Sequence, residues 1–364
     1  SRNNLACAYE AAGRTDEAIT LYEQVLADSI RMLGEDHPDT LGSRNNLACA
    51  YEAAGRTDEA ITLYEQVLAD SIRMLGEDHP QTLTLRNNLA GTYESAGRLT
   101  EAITLYEQVL ADRIRILGED HPQTLASYNN LAYSYVTAGR TDEAITLYEQ
   151  VLADSIRILG EDHPQTLTSG NNLANAYETA GRLTEAITLY KLVLADRIRL
   201  LGEDHPQTIA SYNNLANAYE TAGRTDEDIA LFEQILSIRM RVFGEDHPDT
   251  LNSRNNLAYA YYAAGRLEEA ITLYEQVLTD RIRILGEDHP DTLTSRNNLA
   301  YAYFSRGRSD AAIHNFEQAL TDCINILGDE HSLTETVRKN LETAKRQLER
   351  QEKESPAEER EQED

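Results

Sequence analysis

The sequence predicts an all-α solenoid of stacked antiparallel helix pairs, and three observations predict it. An Asn-Asn pair returns at 3/4, 45/46, 87/88, 129/130, 171/172, 213/214, 255/256 and 297/298, a step of 42 residues each time, without insertion or deletion. Apolar residues within each unit follow helical spacing, and Gly or Pro punctuates the ends. The composition, rich in Leu, Ala, Glu and Arg with eight Pro and no Trp, favours helix. A chain of 364 residues could form two or three globular domains. The fixed repeat replaces that count, because each unit is one supersecondary element stacked on the next.

The unit from His79 to Asp120 shows how each element arises. His79-Pro80 opens a helix. Proline suits the first helical position, where its missing N–H would have no partner, and it pushes His79 into the extended geometry of an N-cap. Helix A then runs to about Ala96, with Leu83, Leu89, Ala90 and Tyr93 at helical spacing, and Gly97 supplies a left-handed stop. Helix B covers roughly Leu99 to Leu117. Its wide apolar face includes Ala102, Ile103, Tyr106, Val109, Leu110 and Ile114, and Gly118 ends it. So short a connection makes the two helices antiparallel neighbours. Ala90 and Ala102 set a close axis distance, and Tyr93 and Tyr106 fill the space on either side. Glu119-Asp120 precede the next helix N-terminus, where the macrodipole favours negative charge.

Helix pairs are expected near 1–33, 38–75, 80–117, 122–159, 164–201, 206–243, 248–285 and 290–327, giving repeats over 1–327. Ser1-Arg2-Asn3-Asn4 matches Ser43-Arg44-Asn45-Asn46, so the chain is expected to start inside a helix as part of a longer protein. After Gly328 the repeat decays. Leu333, Val337, Leu341, Ala344 and Leu348 share one stripe, which predicts a capping helix over 328–350 that covers the last apolar face. Residues 351–364 are charged and apolar-poor, and are expected to be a disordered tail.

The pattern Leu-Ala-x-x-Tyr, then Gly, then Ala-x-x-x-Tyr resembles the tetratricopeptide repeat family over residues 1–327. The period is longer than the usual ~34 residues. With Leu-Gly-x-Asp-His-Pro before helix A and Asn-Asn-Leu-Ala inside it, the unit looks like the kinesin light chain subclass, and its Ala-Gly-Arg and Leu-Tyr-Glu-Gln-Val-Leu wording like the bacterial members. The resemblance implies a right-handed superhelix with helix A lining a concave groove. Bacterial arrays of this kind often follow a nucleotide-binding switch domain.

The formal charge of −29 argues against nucleic acid, which needs clustered Lys and Arg. No run approaches the ~18 apolar residues of a membrane span, and no signal peptide is visible. Three cysteines, Cys7, Cys49 and Cys323, make no disulfide framework and suit a reducing, cytoplasmic setting. One His per unit with two acids before it suggests a metal at first. Each loop, however, offers no second His at ligand spacing, so capping is the favoured role. No phosphate loop or activated nucleophile occurs, and neither an enzyme nor a cofactor is expected.

Recognition should lie where repeats differ. In the family the groove takes the Asn positions and those three and six residues beyond the second Asn. Three beyond stand Cys7, Cys49, Gly91, Tyr133, Asn175, Asn217, Tyr259 and Tyr301; six beyond stand Glu10, Glu52, Glu94, Val136, Glu178, Glu220, Tyr262 and Phe304. The surface is thus small and acidic at first, amide-rich in the middle and aromatic at the end. Tyr259, Tyr262, Tyr301 and Phe304 are expected to cluster as a recognition site. Two readings of the Asn pairs stay open: a ladder that binds a ligand's main chain, or a structural ladder between adjacent A helices. The second Asn of each pair (Asn46, Asn88, Asn130, Asn172, Asn214, Asn256 and Asn298) is the one assigned to the groove.

These groove slots hold no Lys or Arg, so the family's carboxylate-clamp activity is not carried over. Their acidity points to a basic or neutral protein or peptide. The leading expectation is a non-catalytic interaction scaffold. The alternatives are the sensor arm of a nucleotide-dependent switch protein, or an array that self-associates. Asp228, in the tight Ala slot of helix B, is expected to loosen the sixth repeat, and Lys191-Leu192 to make an apolar outer edge.

Overall fold

A computed structural model of the chain describes residues 2–358, and these contain 17 α-helices and no strand. The chain divides into two compact units, Ser1–Leu189 and Tyr190–Asp364. The first holds α1 (Arg2–Ala11), α2 (Thr15–Leu33), α3 (Pro38–Ala53), α4 (Thr57–Leu75), α5 (Pro80–Ser95), α6 (Leu99–Leu117), α7 (Pro122–Thr137), α8 (Thr141–Leu159) and α9 (Pro164–Thr179). The boundary falls inside α10 (Leu183–Leu201). The second unit continues with α11 (Pro206–Thr221), α12 (Thr225–Phe243), α13 (Pro248–Ala263), α14 (Leu267–Leu285), α15 (Pro290–Ser305), α16 (Ser309–Leu327) and α17 (Ser332–Glu358).

From α1 to α9 and from α11 to α17 each helix packs on the next in sequence, and the repeat-defining residues are the buried ones. Ala90 and Ala102 are fully buried, with Tyr93 and Tyr106 buried beside them. The turn glycine Gly97 has φ +74°, and the stop Gly118 has φ +88° and donates its N–H to Ile114 at 3.0 Å. A Cβ is rarely tolerated at such positive φ. His79 is the predicted N-cap. Its backbone is extended, and its Nδ1 accepts the N–H of Gln81 at 3.2 Å. The same bond recurs at His37, His121, His163, His205, His247 and His289.

Polar ladders that the sequence pattern did not reveal tie neighbouring repeats together. The loop aspartate is more than a dipole partner. Asp36 pairs with Arg73 at 2.7 Å, Asp120 with Arg157 at 2.5 Å and Asp204 with Arg241 at 2.8 Å, each arginine lying in the last turn of the following repeat's helix B. The helix-A tyrosine donates back to a glutamate of the preceding helix B: Tyr51 to Glu23 at 3.1 Å, Tyr93 to Glu65 at 2.6 Å, Tyr261 to Glu233 at 2.9 Å. The arginine of Ala-Gly-Arg lies over that same ring, as Arg56 does at 4.4 Å from the Tyr51 centroid.

Two local departures come out differently from the pattern. Lys191 stands where Glu65 and Glu233 accept a tyrosine hydroxyl, and it lies over the Tyr219 ring at 5.4 Å instead. An ion-to-hydroxyl bond has been exchanged for a cation–π contact. Leu192 is 59% exposed, so the apolar edge exists.

Helix α17 was expected to be a generic cap. It keeps the repeat register instead. Asn340 Nδ2 donates to Asn297 Oδ1 at 3.1 Å, His331 Nδ1 accepts the Leu333 N–H, and Val337, Leu341 and Ala344 pack against the Phe316 cluster. It therefore occupies the place of one more helix A. Val-Arg-Lys-Asn-Leu carried that signal, but with Lys339 in place of the first Asn. The helix runs to Glu358, into the segment read as a tail, and residues 359–364 lie outside the described residues.

Candidate functional site

The slots that vary between repeats lie on the helix-A face, above the helix-B tyrosine. Along α1, α3 and α5 they are small or acidic. Cys49 Sγ lies 2.9 Å from the Tyr64 hydroxyl, and Cys7 Sγ lies 3.2 Å from that of Tyr22, so each thiol turns to its own repeat's tyrosine. Burial pushes the Cys49 thiol and the Tyr64 hydroxyl above their ordinary values. The Tyr106 hydroxyl fills the space over Gly91, 3.4 Å from where a Cβ would stand. Glu94, half-buried, has its carboxyl held above the usual range by desolvation. Tyr133 is 59% exposed, while Asn175 is exposed on α9.

The second unit gathers its rings. The centroids of Tyr259 and Tyr262 are 6.4 Å apart, those of Tyr262 and Tyr301 5.7 Å, and those of Tyr301 and Phe304 6.4 Å. These separations suit offset or tilted aromatic pairs. Tyr259 and Tyr301 remain 46% and 43% exposed, while Tyr262 and Phe304 are half-buried. A cleft of about 190 Å³ opens among Tyr259, Tyr262, Tyr301 and Asn256, with buried Tyr274 from α14 among its lining residues. Tyr262 and Ser305 share a hydroxyl–hydroxyl bond of 2.9 Å, which ties α13 to α15 at the cleft. Asn217 is exposed on α11.

The Asn pairs are spent in part on the scaffold. The second Asn of one repeat donates Nδ2 to Oδ1 of the first Asn of the repeat before: Asn88 to Asn45 at 3.1 Å, Asn130 to Asn87 at 2.9 Å, Asn172 to Asn129 at 3.5 Å and Asn298 to Asn255 at 3.2 Å. This is the structural ladder of the two readings. Asn46 and Asn214 are half-buried in their helices, whereas Asn256 is exposed and lines the cleft. Sequence spacing could place the Asn residues on one face, but not their pairing across repeats.

Sequence spacing puts Glu220 among the groove slots but gives no sign that Asp228 of α12 comes near them. Glu220 and Asp228 both lie within electrostatic range of the Tyr259 hydroxyl, and Glu220 acts on Asp228 in the same way. Asp228 is 2% exposed and its Oδ1 has no partner. Burial and the neighbouring Glu220 charge raise its carboxyl to about 6. Helix α12 nonetheless runs unbroken through it. The loop histidines, by contrast, use Nδ1 for capping, and among the described residues no His, Cys, Asp and Glu cluster could hold a metal.

A family model described as tetratricopeptide repeat matches residues 1–73, 81–155, 139–197, 167–227, 226–282 and 254–323. The chain belongs to the tetratricopeptide repeat family. No curated protein matches this tetratricopeptide chain significantly. Among solved structures it is similar to the nearly identical TPR-like repeats of a kinesin light chain-like protein of Podosopora anserina. The identity is 38% over 56% of this chain and 97% of that one, with a TM-score of 0.52. BtubC (BKLC) of P. vanneervenii is 26% identical over 64% of this chain and 94% of its own, with a TM-score of 0.53. A STAND protein with a tetratricopeptide repeat sensor from Pyrococcus horikoshii shares the fold, at 16% identity and a TM-score of 0.56 over 92% of this chain and 49% of that one. The tetratricopeptide array is a scaffold suited to protein–protein interaction. Among the described residues no helix is long and apolar enough to cross a membrane.

Proposed function

We propose that this tetratricopeptide array is a non-catalytic scaffold that holds a peptide or protein segment on its helix-A face, at the aromatic cleft of the second unit. The observation that carries the reading is the ring cluster of Tyr259, Tyr262, Tyr301 and Phe304 beside Asn256, with Tyr259 and Tyr301 exposed. Tyrosine gives large, stiff contact area with a hydrogen-bonding end, which is why it dominates binding hot spots. The Asn side chains at the cleft retain donor and acceptor capacity for a main chain laid across them. The net charge of −29 favours a basic or neutral segment over an acidic one.

A displayed library of random linear peptides, selected on the intact chain, tests this. Selected binders should lose at least about tenfold in affinity when Tyr259, Tyr262 and Tyr301 are together replaced by Ala, because hot-spot truncations cost this much or more. Circular dichroism should show unchanged helix. Binders indifferent to the triple substitution would remove the site from consideration.

A further inference from the structure

Exposed Glu220 and buried Asp228 lie beyond Tyr259 at one end of the aromatic cleft, and we infer that the cleft receives a cationic side chain, a lysine or arginine of the bound segment, with its stem on Tyr259 and Tyr262 and its charge directed toward Glu220 and, through it, Asp228. This rests on the reading of the cleft as the binding site and adds the chemistry of what enters it.

The slot equivalent to Asp228 holds Ala18, Ala60, Ala102, Ala144, Ala186, Ala270 and Ala312 in the other repeats, all fully buried. Only α12 carries a carboxylate there. An unpaired buried carboxylate is costly and is normally compensated by a partner within the fold. Asp228 Oδ1 has none, and the charged group that acts on it, Glu220, carries the same sign. The chain has thus placed two like charges together with no cation of its own between them. Alanine at this slot builds an equally continuous helix B elsewhere in the array, so the carboxylate is not required by the fold.

What stands beside the pair gives it meaning. Tyr259 bridges the two features: its hydroxyl lies within electrostatic range of Glu220 and Asp228, and its ring begins the stack that continues through Tyr262 to Tyr301. Ring faces carry negative potential and attract ammonium and guanidinium groups. Glu220 is exposed and offers direct contact, while Asp228 is buried, where charge is weakly screened. A long basic side chain matches this order. Its methylenes cover rings and its head reaches the acids, as such side chains do at interfaces. An acidic or phosphorylated residue would meet repulsion at the same edge.

The peptide library selection separates this inference from the reading beneath it. Tyrosine-dependent binders should share a Lys or Arg at one position. Replacing that residue by Gln should weaken binding about tenfold or more, and Asp228→Ala and Glu220→Gln should each weaken the Lys or Arg peptide but not its Gln version. Asp228→Ala installs the residue the other repeats use, so it keeps the fold, and thermal melting checks that it does. Tyrosine-dependent binders without a shared basic residue, or a Lys or Arg peptide unaffected by both Asp228→Ala and Glu220→Gln, would overturn the cation site and leave the aromatic cleft standing. A selection that yields no tyrosine-dependent binder would overturn both.

Discussion

The same two slots of helix A are built in opposite ways near the two ends of the array. Around α3 and α5 they hold Cys49, Glu52, Gly91 and Glu94, and the surface closes on itself: a thiol bonds to Tyr64, and a tyrosine hydroxyl fills the space above a glycine. Around α13 and α15 they hold Tyr259, Tyr262, Tyr301 and Phe304, and the rings stand up from the surface and stack on one another. The floor beneath stays a buried aromatic ring, Tyr64 and Tyr106 under the first pair and Tyr274 and Phe316 under the second. Scaffold and recognition surface are therefore separable at the level of single residues. One set fixes helix spacing, while the other sits one layer higher and is free to vary.

The floor should show the largest effects and should show them equally in both units. Tyr64→Ala and Tyr274→Ala should each cost about 3–5 kcal/mol, the range for truncating a large buried ring. Hydrogen exchange repeat by repeat would measure this, because local stability in such arrays is a nearest-neighbour property. A loss in one unit only would break the claim of a shared floor.

Asp228→Ala should stabilise. The folded carboxyl is raised from 3.8 to about 6, so the native state holds its proton more tightly than the unfolded chain does. This contribution to stability is fully present below the unfolded value and is lost as pH rises through about 6. Above that, the ionised group costs up to about 3 kcal/mol, at ~1.4 kcal/mol per unit. Melting curves should therefore show the Ala variant ahead at pH 7 and the gap closing toward pH 4. Glu220 and Tyr259 are the titratable neighbours, and Glu220→Gln should lower the carboxyl and reduce part of the gap.

The Asn ladder should contribute less. Asn45→Ala and Asn255→Ala each leave one amide donor of the following repeat without its acceptor, and should cost about 1 kcal/mol apiece. Denaturant titration would resolve this, and a cost near zero would return the Asn pairs to a purely ligand-facing role. The smallest effect belongs to a transplant. Cys49→Tyr with Glu52→Tyr copies the α13 slots onto α3, and should shift stability by no more than about 0.5 kcal/mol, as at other surface sites. A large melting shift would show that the first unit's slots are structural after all.

Much of this was legible in the residues. Leu-Ala-x-x-Tyr and the spaced Ala of helix B announced the packing, and His-Pro and Gly placed the helix ends, because backbone capping and turn geometry are local. The Arg157–Asp120 and Tyr93–Glu65 ties were not legible, since their partners are a fraction of a repeat apart and no local pattern joins them. Asn340 was missed because Lys339 breaks the Asn pair while the register persists.

The sequence by itself determined the repeat, the helix pairs and the candidate slots, because a strict 42-residue period and helical spacing leave one way to bury the apolar face. Only the tertiary structure decided which slots meet. It turned Lys191 onto Tyr219, closed Cys49 over Tyr64, and brought Glu220 and Asp228 to the edge of Tyr259. The physical reason is that side chains from three successive helices converge there, and their convergence depends on how helices stack rather than on any order along the chain.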